Sequence, residues 1–294
     1  MAVSLLILYT LIYVVPFYLS SRTRPSPTLS RDAPSVIRAR ITSVSLTCFV
    51  CSVTTLWVLC RVAKATAHDA AHTLGYWPVG LTETASSLLL TAVLFLGPLF
   101  EYLIVEAGWR EWSTLAPVKE LFNEWTTWRN IVAGPVTEEV LFRSAAVPLM
   151  LIARTSVTRT IFMSPLIFGL AHVHHFYEFR ITNPRVPIAA AILRSVFQLA
   201  YTTLFGSYAT FLYLRTGSLL AICLVHAFCN CMGLPRVWGR VQPISGYSQE
   251  ASTEQKGNVL WTAAYYVLLV TGAALWYRNL WVLTESSNAL VAVR

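Results

Sequence analysis

Runs of apolar residues divide the chain near residues 2–20, 41–63, 81–104, 131–153, 158–176, 186–214, 218–235 and 258–282. Each is close to the ~20 residues with which a helix crosses ~30 Å of hydrocarbon. Lipid offers no partner to an open strand edge, so the runs predict an all-α, polytopic membrane bundle of about eight transmembrane helices. Those at 158–176 and 218–235 are short and carry polar residues. Connections are short apart from 21–40, 105–130 and 236–257, which predicts a single integral-membrane domain over residues 1–294 with no soluble module. No internal repeat and no interrupted helix is read in the pattern. The first run, AVSLLILYTLIYVVPFYL, has no basic residue ahead of it and no A-x-A site behind it. It reads as a retained span rather than a secretory signal.

Composition agrees with the pattern: 55% of residues are hydrophobic and 12% charged, against roughly 25% charged in soluble domains. The net charge of +8 is unevenly placed, with Arg22, Arg24, Arg31, Arg38 and Arg40 crowding the first loop. The positive-inside rule puts that loop in the cytosol, and alternation adds 105–130, 177–185 and 236–257. A basic cytosolic face attracts anionic lipid; no nucleic-acid module is present. In the 105–130 connection, Trp109, Trp112, Trp125 and Trp128 interleave with charges, as in a helix lying at headgroup level. All six cysteines fall within predicted spans and read as small buried hydrophobes, Cys48 and Cys51 included, despite their C-x-x-C spacing.

Three polar groups interrupt the apolar runs. In GPVTEEVLFRS, Glu138 and Glu139 are adjacent, so on a helix they point about 100° apart. Arg143 follows Glu139 by four residues, the spacing that brings side chains together on one face. Glu139 and Arg143 are thus expected to form a supporting ion pair, with Glu138 left without a local counter-ion. An unpaired carboxylate in low dielectric is suited to general acid–base work. His172 closes FGLAH four residues after Phe168, and His226 precedes Asn230 by four in HAFCN. His174 and His175, at the predicted membrane edge, read as interfacial. Helix alternation places Glu138, His172, His226 and Asn230 in the same leaflet, Glu138 about 10 Å deep.

A carboxylate, two histidines and an asparagine at one depth suggest attack of activated water on an amide carbonyl. Glu138 takes the water proton, His172 orients the water, and His226 and Asn230 donate to the developing oxyanion. Two histidines and a glutamate are also a catalytic zinc set, although no H-E-x-x-H is present and the residues come from three helices. A non-enzymatic scaffold or a proton-coupled transporter is a third reading, and the lack of repeats or interrupted helices argues against a transporter.

TEEVLFR, FGLAH and HAFCN, in that order on separate runs, resemble the E-E-x-x-x-R, F-x-x-x-H and H-x-x-x-N motifs of the type II CAAX prenyl endopeptidases. These form the Ras-converting group within the wider CAAX-protease and bacteriocin-processing family. The resemblance runs from about residue 80 to 235. It implies removal of the C-terminal tripeptide from farnesylated or geranylgeranylated CaaX proteins, such as Ras-type small GTPases, at the endoplasmic reticulum membrane, from the cytosolic leaflet. It also implies Glu138 and His172 as catalytic residues, His226 and Asn230 as the oxyanion hole, Glu139 and Arg143 as the supporting pair, and no metal cofactor. The substrate's terminal carboxylate calls for a cation near the mouth, with Arg180, Arg185 and Arg236 as candidates. Glu83, Glu101, Arg194 and Gln198 read as snorkelling or structurally paired.

Overall fold

In the computed structural model, residues 2–26, 29–242 and 259–292 are described. Helix is the only repeating backbone structure among them, as a chain in hydrocarbon requires. The chain begins with α1 (Ala2–Val14), and Pro16 restarts it as α2 (Pro16–Leu19). Pro34 then opens α3 (Pro34–Arg61), where its missing N–H costs nothing. A capping box between Thr66 and Asp69 starts α4 (Ala67–Thr73). Next come α5 (Leu81–Leu94) and α6 (Leu96–Phe100), the latter running into a wide π-type turn at Glu101–Val105.

The 105–130 connection is not one interfacial helix but three short ones: α7 (Trp109–Ser113), α8 (Ala116–Asn123) and α9 (Trp125–Trp128). The backbone turns left-handed at Leu115 and is extended at Glu124, which breaks the run. Trp109 and Trp112 remain exposed. From α9 the chain continues helically through π turns at Arg129–Ala133 and Val140–Ala145, which flank α10 (Gly134–Glu139), into α11 (Ala146–Ile152). It then forms α12 (Val157–Ala171), α13 (His174–Thr182), α14 (Ile188–Thr216), α15 (Leu219–Met232) and α16 (Val259–Leu283). Gly217, at φ +60°, ends α14, its N–H returning to the Tyr213 carbonyl. Most of the 236–257 connection, Lys256 included, lies outside the described residues.

Among the described residues, four stretches are long and apolar enough to cross a membrane: Ala2–Leu19, Pro34–Arg61, Ile188–Thr216 and Val259–Leu283. A fifth is Leu81–Val105 if its two arms count as one span; they meet at 80°. That bend overturns the expectation of uninterrupted helices. Pro98 lacks the N–H that would have bonded back one turn across the break. The runs at 158–176 and 218–235 become helices of 15 and 14 residues, about 22 Å long, short of the ~30 Å hydrocarbon core.

Side chains sort as lipid demands. Large apolar residues point outward from the long helices, among them Phe49, Trp57, Phe197, Leu204, Val267 and Tyr277. The interior holds polar ones: Thr55, Glu139, Arg143, Ser144, Thr210 and Ser218 are buried. Without a hydrophobic difference between lipid and neighbouring helix, hydrogen bonds and close packing join the helices. Thr55 Oγ1 donates to the Ala145 carbonyl (2.8 Å) in the Val140–Ala145 π turn and meets Tyr9 Oη at 2.9 Å. Cys48 Sγ donates to the Thr137 carbonyl (3.2 Å), and all six cysteines are unpaired. Gly206 lets α14 close on α12: a Cβ there would lie 2.7 Å from Pro165 Cβ and 2.9 Å from Arg143 Nη2. Gly206→Leu is therefore expected to destabilise the protein by about 1–3 kcal/mol through overpacking. Thermal unfolding in detergent measures this, and an unchanged midpoint would show that α12 and α14 have room to separate.

Candidate functional site

Glu138, Glu139 and Arg143 lie on the helix that runs from α10 into the Val140–Ala145 π turn. Such widenings of a helix are frequent at functional sites. Glu139 and Arg143 form the expected pair: Nη1 donates to Oε1 at 3.1 Å, with side chains 0% and 1% exposed. The Arg143 guanidinium also sits over the Phe168 ring, 4.6 Å from its centroid. Phe168 in turn meets the His172 ring edge-on at 4.8 Å. The phenylalanine of FGLAH thus acts as a spacer between the buried cation and the histidine.

His226 joins the pair from α15, a contact that sequence spacing did not reveal. Its Nδ1–H donates to the same Glu139 Oε1 at 2.6 Å, and its Nε2 faces Glu138 Oε2 at 4.0 Å. Glu139 therefore orients both an arginine on its own helix and a histidine on another. Glu138, 19% exposed, has its imidazole neighbour within reach rather than standing alone. His172 follows the last residue of α12, and its Nδ1 lies 3.1 Å from the Phe168 carbonyl. A carbonyl only accepts, so Nδ1 carries the proton and the neutral ring leaves Nε2 as an acceptor. Asn230, one turn beyond His226, donates from Nδ2 to the Asn130 carbonyl at 2.8 Å.

Two cavities meet at these residues. The larger, about 710 Å³, is walled by apolar and aromatic groups, including Phe95, Tyr201, Phe205, Tyr208, Leu234 and Trp276. The smaller, about 190 Å³, is lined by Arg31, Arg40 and Arg129 beside Tyr13 and His174. Asn130, Glu138, His172, His175 and Asn230 border both. His226 lines the larger one. The four residues expected to converge do so.

Other expectations are corrected. His174 and His175 are half-buried and line the smaller cavity. α12 ends at Ala171, and the chain turns inward before α13 begins at His174. The His174 Nδ1–H then donates to the Ala171 carbonyl at 2.5 Å. His175 Nδ1 binds Glu178 Oε2 at 3.0 Å. Glu178, which the sequence reading passed over, is buried; its i, i+3 spacing from His175 was the available signal. Burial alone raises its carboxyl, but His175 and Arg40 outweigh that and hold it well below the usual carboxylate range. Arg180, Arg185 and Arg236 line neither cavity. Arg236 pairs with Glu101 at 2.8 Å, and Arg180 donates to the Val186 carbonyl. Glu83 accepts from Ser286 and Asn288, Arg194 stacks on Phe179, and Gln198 borders the larger cavity.

As for metal, among the described residues the ligand atoms that gather within 4.8 Å belong to His174, His175 and Glu178 rather than to Glu138, His172 and His226. Arg40, 2.6 Å from Glu178, and Arg31, 3.4 Å away, already hold that carboxylate. A divalent cation there would face two guanidiniums, so this group fits a metal poorly.

Comparison with known proteins places this geometry. Residues 120–232, which contain all three motifs, match the model of the type II CAAX prenyl endopeptidase Rce1-like family. The chain is 38% identical over 280 residues to the probable CAAX prenyl protease 2 of Schizosaccharomyces pombe, covering 95% of this chain and 92% of that one. It is 31% identical over 255 residues to CAAX prenyl protease 2 of Arabidopsis thaliana, covering 80% of each. With CAAX prenyl protease 2 of Saccharomyces cerevisiae it shares 29% over 295 residues, 91% of each. No solved structure matches. With the three motifs converging on one site and relatives aligned over nearly its whole length, the chain belongs to the type II CAAX prenyl endopeptidases.

Proposed function

We propose that this protein removes the C-terminal tripeptide from isoprenylated CaaX proteins, Ras-type small GTPases among them, by attack of water activated at Glu138 and His172. The observation that carries this reading is that both residues border a roomy cavity rich in aromatic side chains and a smaller one that adds three arginines. The substrate divides in the same way, into an isoprenoid chain and a peptide. The eight apolar runs are then all membrane-embedded, the short ones dipping rather than fully crossing, with the site opening to the cytosolic leaflet of the endoplasmic reticulum.

In the reaction, water attacks the carbonyl carbon of the prenylated cysteine. Glu138 accepts the water proton while His172 Nε2, the acceptor nitrogen, orients the water. The oxyanion receives hydrogen bonds from His226 Nε2 and Asn230 Nδ2. For His226 to donate from Nε2 while Nδ1 donates to Glu139, its ring must be an imidazolium. Glu138 then passes its proton to the leaving amine nitrogen as the C–N bond breaks. The products are a prenylcysteine carboxylate and a free tripeptide. No step draws on a metal.

On a farnesylated CaaX peptide, Glu138→Gln is expected to cut kcat by about 10²–10⁴-fold, the usual worth of a general base, with little change in stability. Wild-type turnover by Glu138→Gln would sink the assignment. Glu139→Ala strands Arg143 in the interior and should cost about 3–5 kcal/mol, seen as a lower unfolding midpoint in detergent together with lost activity. A stable but inactive Glu139→Ala protein would reverse the roles of the two glutamates. Turnover should survive a strong chelator; stoichiometric zinc with chelator-sensitive activity would replace this mechanism with a zinc-dependent one.

A further inference from the structure

The smaller cavity carries a charge that the reaction does not use. Arg31, Arg40 and Arg129 line it, and among the described residues the carboxylates bonded to them are Asp32 and Glu178, Glu138 being turned to His226 instead. The three are not held alike. Arg40 gives Glu178 a 2.6 Å bond, donates twice to the Thr23 carbonyl and lies over the Phe17 ring, so it is a structural cation. Arg129 binds Asp32 at 2.7 Å and Asn130 Oδ1 at 3.0 Å. Among the described residues Arg31 has only long contacts: 3.4 Å to Glu178, 3.7 Å to Asp32 and 3.4 Å to His175 Nδ1. None reaches the roughly 2.7–2.9 Å of a good charge-assisted hydrogen bond. Its side chain is also 37% exposed. Among the described residues Arg31 is the most loosely held of the three cations, in the same cavity as Glu138 and His172.

We infer that Arg31 binds the free C-terminal carboxylate of the substrate, and that the site thereby counts three residues from the scissile bond to the chain end. This rests on the reading of the protein as a CaaX endopeptidase. The isoprenoid and its cysteine occupy the 710 Å³ cavity, where Phe95, Phe205, Tyr208 and Trp276 offer aromatic surface, and the departing tripeptide occupies the arginine-lined one. The scissile carbonyl then lies at the shared wall, beside Glu138, His172 and Asn230. Three residues span at most ~11 Å when extended, and Arg31, 3.4 Å from His175, whose ring lies 5.7 Å from that of His172, is within that reach of the shared wall, so it serves as a ruler. The guanidinium fork matches a carboxylate with two parallel bonds, which an amide cannot accept from the same groups with equal strength.

The test compares two farnesylated tetrapeptides, a free acid and its C-terminal amide, on full-length wild type and Arg31→Gln in the same membranes. The wild type should prefer the acid at least tenfold in kcat/KM, expressed in KM. Arg31→Gln should raise KM for the acid about tenfold with kcat unchanged, leave the amide as it was, and so erase the preference. Arg31→Lys should restore part of it. A wild type that cleaves both peptides equally overturns the inference without help from any variant. So does an Arg31→Gln protein that keeps the preference, or that loses acid and amide in equal measure. Cleavage of neither peptide by the wild type would instead refute the proposed function.

Discussion

The Glu139 carboxylate, fully buried, is the point on which the centre of the molecule turns. One of its oxygens accepts from Arg143 on the same helix and from His226 on α15. A buried charge is tolerable only when paired and hydrogen-bonded, so this anion dictates its surroundings. It needs Arg143, Arg143 needs the Phe168 face and the gap at Gly206, and those requirements draw α10, α12, α14 and α15 together. The polar interior is expensive, but it defines one arrangement of helices where apolar packing alone would allow several.

That arrangement separates two environments with a thin wall of chemistry between them. On one side aromatic and aliphatic residues make a cavity within the roughly 300–1,000 Å³ typical of ligand sites. On the other, basic side chains from the first loop, from α3 and from the segment after α9 meet around α13. The Arg129–Asp32 and Arg40–Glu178 bonds tie together connections that alternation had placed on the same side of the membrane. An amphipathic substrate, half lipid and half peptide, suits such a divided site. Remote parts of it can then contribute binding energy to holding one bond against Glu138.

The breaks in the helices belong to the same design. The wide turn at Val140–Ala145 carries Arg143, and its Ala145 carbonyl is satisfied by Thr55 from α3. α12 stops at Ala171, which leaves His172 at a helix end, its Nδ1 anchored to Phe168 and its other nitrogen directed to the site. The break there also lets α13 begin at His174, with His175 bonded to Glu178.

Much of this was legible in the residues themselves. Apolar runs in a chain with 12% charge leave helices in a membrane as the physical option. Four-residue spacing predicts the Glu139–Arg143 pair because helix geometry is invariant, and three ordered motifs on separate runs identify the family. The contacts that cross between helices were not legible. His226 on Glu139, Phe168 between Arg143 and His172, Glu178 among Arg31, Arg40 and His175, and the division of the site into two cavities all depend on how helices bend and cross. Spacing within one helix is set by a constant rise and turn. Contacts between helices follow from packing, from prolines that break a run and from buried charges seeking partners, and only the tertiary structure decides among the solutions these allow.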